Sequence, residues 1–321
     1  MLDTDRLKHF ASAKGFDWPL LLEAIERSQS DESFDLWDYP RYACLGCGGT
    51  EEDSEPAVLA IYCVTASIRL IDDILDNDPA GQHGRWGIGR TANLALAFQA
   101  LASLLIQESS LGSNLIARIQ RLALAACIQT CMGQDLDFLG ATNEGDCWQI
   151  MEAKTPPLLS AAFEIGALLG GANETLTRQM SAFGHALGMH MQITDDLHDA
   201  LESPARDDWK RPLNNIAIHY AMTVPHLERR RFNLMVDKCD NPNTLEMAQK
   251  ILVRSGAVSF CTLTMIEKFS ELGRLFHSMK LANERPMREL LHHTAIASES
   301  LLLAGGASPA EARATLVQFP V

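Results

Sequence analysis

Apolar residues recur at three- and four-residue spacing along nearly the whole chain, and alternating Val/Ile/Thr runs bounded by turn residues are nearly absent. That period belongs to helices with one buried stripe, so the pattern predicts an all-α protein. The clearest predicted helices span 54–77, 90–108, 113–140, 145–170, 174–202, 213–237 and 243–281, with shorter ones at 4–28 and 284–317. Many are long, about 30 Å for 20 residues at 1.5 Å per residue. They lack sustained heptads, which favours one large bundle over a coiled coil. The helix at 54–77 has a legible start and stop, with Ser54 as N-cap, Pro56 in the first turn and Pro79 beyond its end. No linker rich in Gly, Ser or Pro and no repeat divides the sequence. Residues 1–321 therefore read as a single domain, with N-terminal helices and a loop over 1–53, a main bundle over 54–281 and C-terminal helices over 282–321. The polar stretches 30–53, 78–89 and 203–212 are the expected irregular segments, and the last two follow directly on the acidic clusters described next.

Two helices break their own apolar pattern in the same way. Asp72, Asp73 and Asp76 lie near the C-terminal end of one, and Asp195, Asp196 and Asp199 near the C-terminal end of another. At about 100° per residue, the first and last Asp of each cluster fall one turn apart on one stripe. Like charges at that spacing destabilise a helix, and the negative end of the helix dipole adds to the cost. A solvated helix end would explain either cluster alone. Its recurrence on a second apolar helix calls instead for a compensating cation. Mg2+, a hard ion that takes carboxylate oxygens and bridges to substrate phosphates, suits the pattern.

Composition narrows the partners. Hydrophobic residues make up 47% and charged residues 21% of the 321, which is globular usage. A formal charge of −14 excludes nucleic acid as a general partner, because phosphate backbones need a basic face. A phosphorylated small molecule stays open, since metal ions and a few Lys or Arg reverse the sign locally. No run approaches the length of about 18 apolar residues that spans a bilayer. The first residues show no basic region followed by an apolar core, so a cytoplasmic address is expected. Eight cysteines in a chain this long are not a disulfide framework, and the pairs Cys44 with Cys47 and Cys127 with Cys131 read as buried reduced thiols rather than a metal or redox site.

At the acidic clusters the sequence resembles the trans-isoprenyl diphosphate synthase (polyprenyl synthetase) family. Gly133-Gln134-Asp135-Leu136-Asp137 looks like the family's Gly-Gln-x-x-Asp segment, and Lys154-Thr155 followed by Gly166 and Gly170-Gly171 looks like its Lys-Thr segment. Phe183-Gly184, Leu187-Gly188 and Gln192-Ile193 resemble the approach to the second aspartate motif, and Ser255-Gly256-Ala257 the closing pattern. The similarity runs from about residue 40 to 280. It implies an antiparallel helical bundle with a central cavity, a homodimer, three Mg2+ ions, and ionisation of an allylic prenyl diphosphate followed by transfer of the prenyl group. In that picture Asp72, Asp73, Asp76, Asp195, Asp196 and Asp199 hold metal. Lys154 neutralises the leaving diphosphate, and Thr155, Gln134 and Gln192 line the reaction centre.

The resemblance thins where members that elongate chains hold isopentenyl diphosphate. Their Gly-Lys-x-x-Arg segment is replaced by Asp35-Leu36-Trp37-Asp38-Tyr39-Pro40-Arg41, and their arginine pair after the first motif by Gly81-Gln82. Arg41, Arg85, Arg90, Lys210 and Arg211 are the candidate replacements, and Arg69, one turn before Asp73, is a further unusual cation. Ser67 and Ile68 put no aromatic bulk before the first motif, which by analogy leaves room for a chain longer than fifteen carbons. Three functions follow: an isopentenyl-adding prenyltransferase, an enzyme that cyclises a prenyl diphosphate or uses another acceptor, and a non-catalytic partner subunit. The completeness of both clusters argues against the last.

Overall fold

The computed structural model of the chain describes residues 4–27 and 38–304, and among them every regular element is a helix. In chain order these are α1 (Thr4–Ala13), α2 (Pro19–Arg27), α3 (Tyr39–Cys47), α4 (Glu51–Leu75), α5 (His83–Trp86), α6 (Ile88–Gln107), α7 (Ser113–Leu139) and α8 (Glu144–Lys154). There follow α9 (Pro156–Leu169), α10 (Glu174–Leu201), α11 (Ile216–Thr223), α12 (Arg229–Asn233), α13 (Pro242–Ser255), α14 (Ala257–Ser278) and α15 (Arg285–Ala304). Single 3-10 turns lie at Asp207–Trp209 and Val236–Lys238.

The helices assort into two compact units, each assembled from separated stretches of sequence. Among the described residues, the first takes those up to Ile128 together with Leu158–Ser181 and Leu281–Pro286, and the second takes Gln129–Pro157, Ala182–Lys280 and those from Met287 onward. In the first unit α4 packs along α6, where Tyr62 meets Phe98 edge-on at 6.1 Å. There α9 lies on α3 through a Tyr39–Phe163 stack at 5.5 Å. In the second unit Phe183, Leu187, Phe269 and Leu272 are fully buried. His190 ties α10 to α14 and α15 there, its Nδ1 3.1 Å from the Met265 carbonyl and its Nε2 3.0 Å from Ser298 Oγ. Burial pushes that imidazole down to about 4, so it acts as a neutral core residue.

The periodic pattern located the long helices but ran several together. The stretch 4–28 divides into α1 and α2, and 145–170 breaks at Thr155, because Pro156 and Pro157 have no N–H to carry the α8 hydrogen-bond ladder onward. The stretch 213–237 yields α11, α12 and a 3-10 turn, and 243–281 breaks at Gly256, whose φ of 88° suits the left-handed cap. Within 30–53 a further helix, α3, appears. Helix α4 starts earlier than expected: Thr50, not Ser54, is the N-cap, in a reciprocal capping box with Asp53. Pro56 consequently sits in the second turn rather than the first. The part of the predicted C-terminal helix beyond 304 lies outside the described residues. Helices α6 and α7 are each long and apolar enough to cross a membrane by length and average hydropathy, although polar residues such as Arg90 and Gln99 in α6 and Arg118 and Gln120 in α7 interrupt their apolar runs. One expectation needs correction. None of the eight cysteines forms a disulfide, but Cys131 is exposed and Cys47 and Cys127 are half-buried rather than buried.

Candidate active site

The first acidic cluster closes α4 in the first unit, with Asp76 as the C-cap residue. Asn77 follows at φ 50°, the left-handed conformation that asparagine tolerates at a helix end. Asp78 then turns the chain by accepting the Ala80 N–H at 2.8 Å. Burial raises the Asp73 carboxyl, against the backbone N–H of Gln82 and the charges of Arg69 and His83, which lower it. Beside Asp73 lies a cavity of about 290 Å³ whose walls include Arg27, Tyr62, Thr65, Arg69 and Trp86.

The second cluster lies near the C-terminal end of α10 in the second unit. Asp196 is buried, and both its oxygens are taken: Oδ2 accepts the Ile216 N–H at 2.9 Å and Oδ1 the Gln192 amide at 3.1 Å. Asp195 keeps a water-accessible face, yet surrounding protein pushes its carboxyl up to about 7, with repulsion from Asp199 adding to the effect. Burial and neighbouring carboxylates raise Asp196, Asp199 and Asp208 as well. Asp199 also joins His198 and Glu202 in a group whose ligand atoms lie within 4.8 Å of one another. Several carboxyls driven toward their neutral forms by loss of solvent, and further by one another, form a donor set of hard oxygens that a divalent cation would satisfy. The residues present fit Mg2+.

Lys154 ends α8, where a positive charge complements the helix dipole. Its Nζ lies 3.1 Å from Asp137 of α7, and Arg211 lies 3.6 Å from the same carboxylate. Two glycines in the second unit fix this corner. A Cβ on Gly133 would fall 2.5 Å from the Ala153 carbonyl, and one on Gly188 would fall 2.6 Å from Pro156 Cα. The Lys154-Thr155-Pro156 segment is thereby pinned by backbone contact with α7 on one side and α10 on the other. The Thr155 hydroxyl donates to Gln192 Oε1 at 3.0 Å, and Gln192 passes the link to Asp196. Gln134 is buried on α7 next to Gly133.

The candidate replacement cations are mostly engaged locally. Arg41 pairs with Asp38 and, at 3.5 Å, with Glu51. Arg85 pairs with Glu23 at 2.8 Å and Lys210 with Asp207 at 2.6 Å. Sequence reasoning assigned no role to Asp137, Glu202, Asp208, Asn214 or Asn215. For Asp208 the signal was present as a third acidic doublet soon after the second motif; for the asparagines there was none.

Two expectations follow from this geometry. Gly133→Ala forces α7 and α8 apart at Lys154, so unfolding titrations should show a loss of about 1–3 kcal/mol. Equal stability would mean that the contact is slack. The raised carboxyls bear on pH. Their ordinary value of 3.8 rises to about 7 for Asp195 and about 8 for Asp196, so the metal-free fold binds more protons than the unfolded chain between these limits. Their contribution to stability thus falls as pH rises from about 4 to about 8. A Mg2+ ion held here would need the ionised carboxylates, so it should raise the melting temperature more at pH 8 than at pH 6. A larger effect at pH 6 would contradict the assignment.

Similar architecture occurs in solved prenyl synthases. Geranylgeranyl pyrophosphate synthetase from Pyrococcus horikoshii superposes with a TM-score of 0.78 at 18% identity, covering 92% of this chain and 98% of that one. At that identity the likeness establishes the fold, the all-α isoprenoid synthase architecture. The polyprenyl synthetase family model matches residues 42–230, more than half of the chain. The chain belongs to the polyprenyl synthetase family. Geranylgeranyl diphosphate synthase of Mycobacterium tuberculosis is 30% identical over 193 residues, covering 57% of this chain and 54% of that protein. Geranylgeranyl diphosphate synthase of Methanosarcina mazei is 31% identical over 156 residues, covering 45% and 47%. The chain spans about half the length of each of these two relatives.

Proposed function

We propose that the chain is a magnesium-dependent prenyltransferase of the isoprenyl diphosphate synthase type, ionising an allylic prenyl diphosphate and transferring its prenyl group in isoprenoid biosynthesis. The observation that carries this reading is the pairing, in the second unit, of an acidic motif that needs a cation with a lysine fixed to receive an anion. Asp195 and Asp199, joined by Asp208, and Asp72, Asp73 and Asp76 of the first motif would hold magnesium, with three ions as the family resemblance implies. Asp196, both of whose oxygens accept protein hydrogen bonds, would steady the motif rather than bind the ion. Bound magnesium supplies Lewis-acid stabilisation of the departing diphosphate. Lys154 sets its ammonium against the same leaving group. Gln134, Thr155 and Gln192 line the reaction centre, the last two joined by their hydrogen bond. The C–O bond breaks with both electrons leaving on diphosphate, and an acceptor alkene captures the allylic cation and then loses a proton.

The names of the relatives support isopentenyl diphosphate as acceptor, with Arg27 and Arg69 in the cavity beside Asp73 in place of the missing basic segments. A second reading, cyclisation or a different acceptor, is supported by the local pairing of Arg41, Arg85 and Lys210. Leu124, Ile128 and Met132, exposed at four-residue spacing on α7, support a homodimer. A cytoplasmic address belongs to the same reading.

Incubation with Mg2+ and geranyl, farnesyl or geranylgeranyl diphosphate, with and without isopentenyl diphosphate, distinguishes these outcomes. Longer prenyl diphosphates formed only with isopentenyl diphosphate are the expected result. Diphosphate release with a hydrocarbon product in its absence would establish the second reading instead.

A further inference from the structure

Asn214 and Asn215 stand between the Asp207–Trp209 turn and α11, and their side-chain amides are fully used. Asn214 Nδ2 donates to the Asp137 carbonyl at 2.7 Å and to its carboxylate Oδ1 at 3.0 Å. Its Oδ1 accepts the Ala141 N–H at 2.7 Å. Asn215 Nδ2 donates to the Asp196 carbonyl at 2.6 Å and to the Asp208 carboxylate at 2.8 Å. Its Oδ1 caps α11 by accepting the Ala217 and Ile218 N–H groups at 3.0 and 3.1 Å. In both residues the oxygen faces backbone N–H groups and the nitrogen faces oxygens. A flipped amide would set like against like, so the network itself fixes both orientations.

We infer that Asn214 and Asn215 are positioning residues for the reaction: Asn214 sets Asp137 and, through it, the Lys154 ammonium, while Asn215 holds the main chain of the second metal motif at Asp196 and the Asp208 carboxylate beside it. The inference rests on the proposed roles of Lys154 and the motif. One dipeptide, using the two faces of the same turn, thereby ties the group that meets the diphosphate to the group that meets the metal, all within the second unit. The side-chain chemistry is selective. A cation at 214 would compete with Lys154 for Asp137, and a carboxylate there would repel Asp137. A serine at either place is too short to keep both donor contacts. An amide orients the carboxylates without cancelling their charge, which leaves that charge available to lysine and metal.

The variants follow from which atoms each keeps. Asn214→Asp retains the acceptor for Ala141 but places a second carboxylate against Asp137, which draws Lys154 inward. It should raise the KM for geranylgeranyl diphosphate about tenfold at saturating Mg2+, with a smaller change in kcat. The exchanged pair Asp137→Asn with Asn214→Asp should recover most of that loss. Asn215→Ser keeps a good N-cap yet releases Asp196 and Asp208. It should raise the Mg2+ concentration for half-saturation about fivefold. That binding is read by calorimetric titration with Mg2+ and inorganic pyrophosphate, which requires no turnover. Melting curves of the metal-free proteins separate positioning from simple loss of fold. Unmoved KM and Mg2+ requirement would overturn the inference, as would losses that only follow the melting temperature and are not rescued by the exchanged pair. If wild-type protein fails to bind magnesium pyrophosphate, the proposed function falls and this inference with it. Wild-type binding with unaltered variants removes this inference alone.

Discussion

Asp195→Ala should lower kcat/KM for an allylic diphosphate by about 10³-fold or more, the expected loss of several kcal/mol of metal stabilisation in the transition state. The structure gives this prediction a second, less obvious half. In the absence of metal, the surrounding protein and the Asp199 carboxylate disfavour the ionised form of Asp195. Alanine relieves that strain, so the metal-free variant should melt no lower than wild type at pH 8, while losing most of the stabilisation that Mg2+ confers. A fold-breaking substitution would show the reverse, a lower melting temperature together with lost activity. Asp72→Ala should cause a comparable loss of turnover through the first motif. Activity retained in either variant would refute the ligand assignment.

Lys154→Met should lower kcat by about 10²- to 10³-fold, the range for removing one preorganised donor from a developing negative charge. Helix α8 is expected to persist, because Gly133 and Gly188 hold this corner by backbone contact, not through the lysine. Arg211 lies 3.6 Å from Asp137 and keeps that carboxylate partly compensated in the variant. Lys154→Arg should restore only part of the rate, because a planar guanidinium delivers its donors along different directions from a compact ammonium. Stopped-flow or quench measurement of diphosphate release checks both variants. A kcat unchanged in Lys154→Met would place the anion contact elsewhere.

Local chemistry was legible in the sequence, and contacts across long sequence separations were not. Each Asp cluster is written within one helical turn, so its spacing alone announces a shared stripe. The positions of α4, α6, α7 and α10 followed from the same local periodicity. The breaks at Thr155-Pro156 and Gly256 carried local signals too, which the apolar period overrode. The capping box at Thr50 and Asp53 lay in a polar stretch expected to be irregular. Asn214 gave no signal because its partner Asp137 is 77 residues away. Asp196 resembles its neighbours in sequence, and only the fold shows that its oxygens already serve Gln192 and Ile216. The glycines at 133 and 188 were visible as family-like residues. Their physical reason, a backbone approach that seats Lys154, appears only in three dimensions.

In the proposed function these carboxylates and Lys154 serve the ionisation of a prenyl diphosphate. The most direct measurement is diphosphate release from geranylgeranyl diphosphate, followed with and without Mg2+ and repeated in EDTA, with isopentenyl diphosphate both present and absent. On that role, release should require Mg2+, stop in EDTA and be lost in Asp195→Ala and Lys154→Met. Release that is indifferent to Mg2+, or no release from any allylic diphosphate offered, would contradict it.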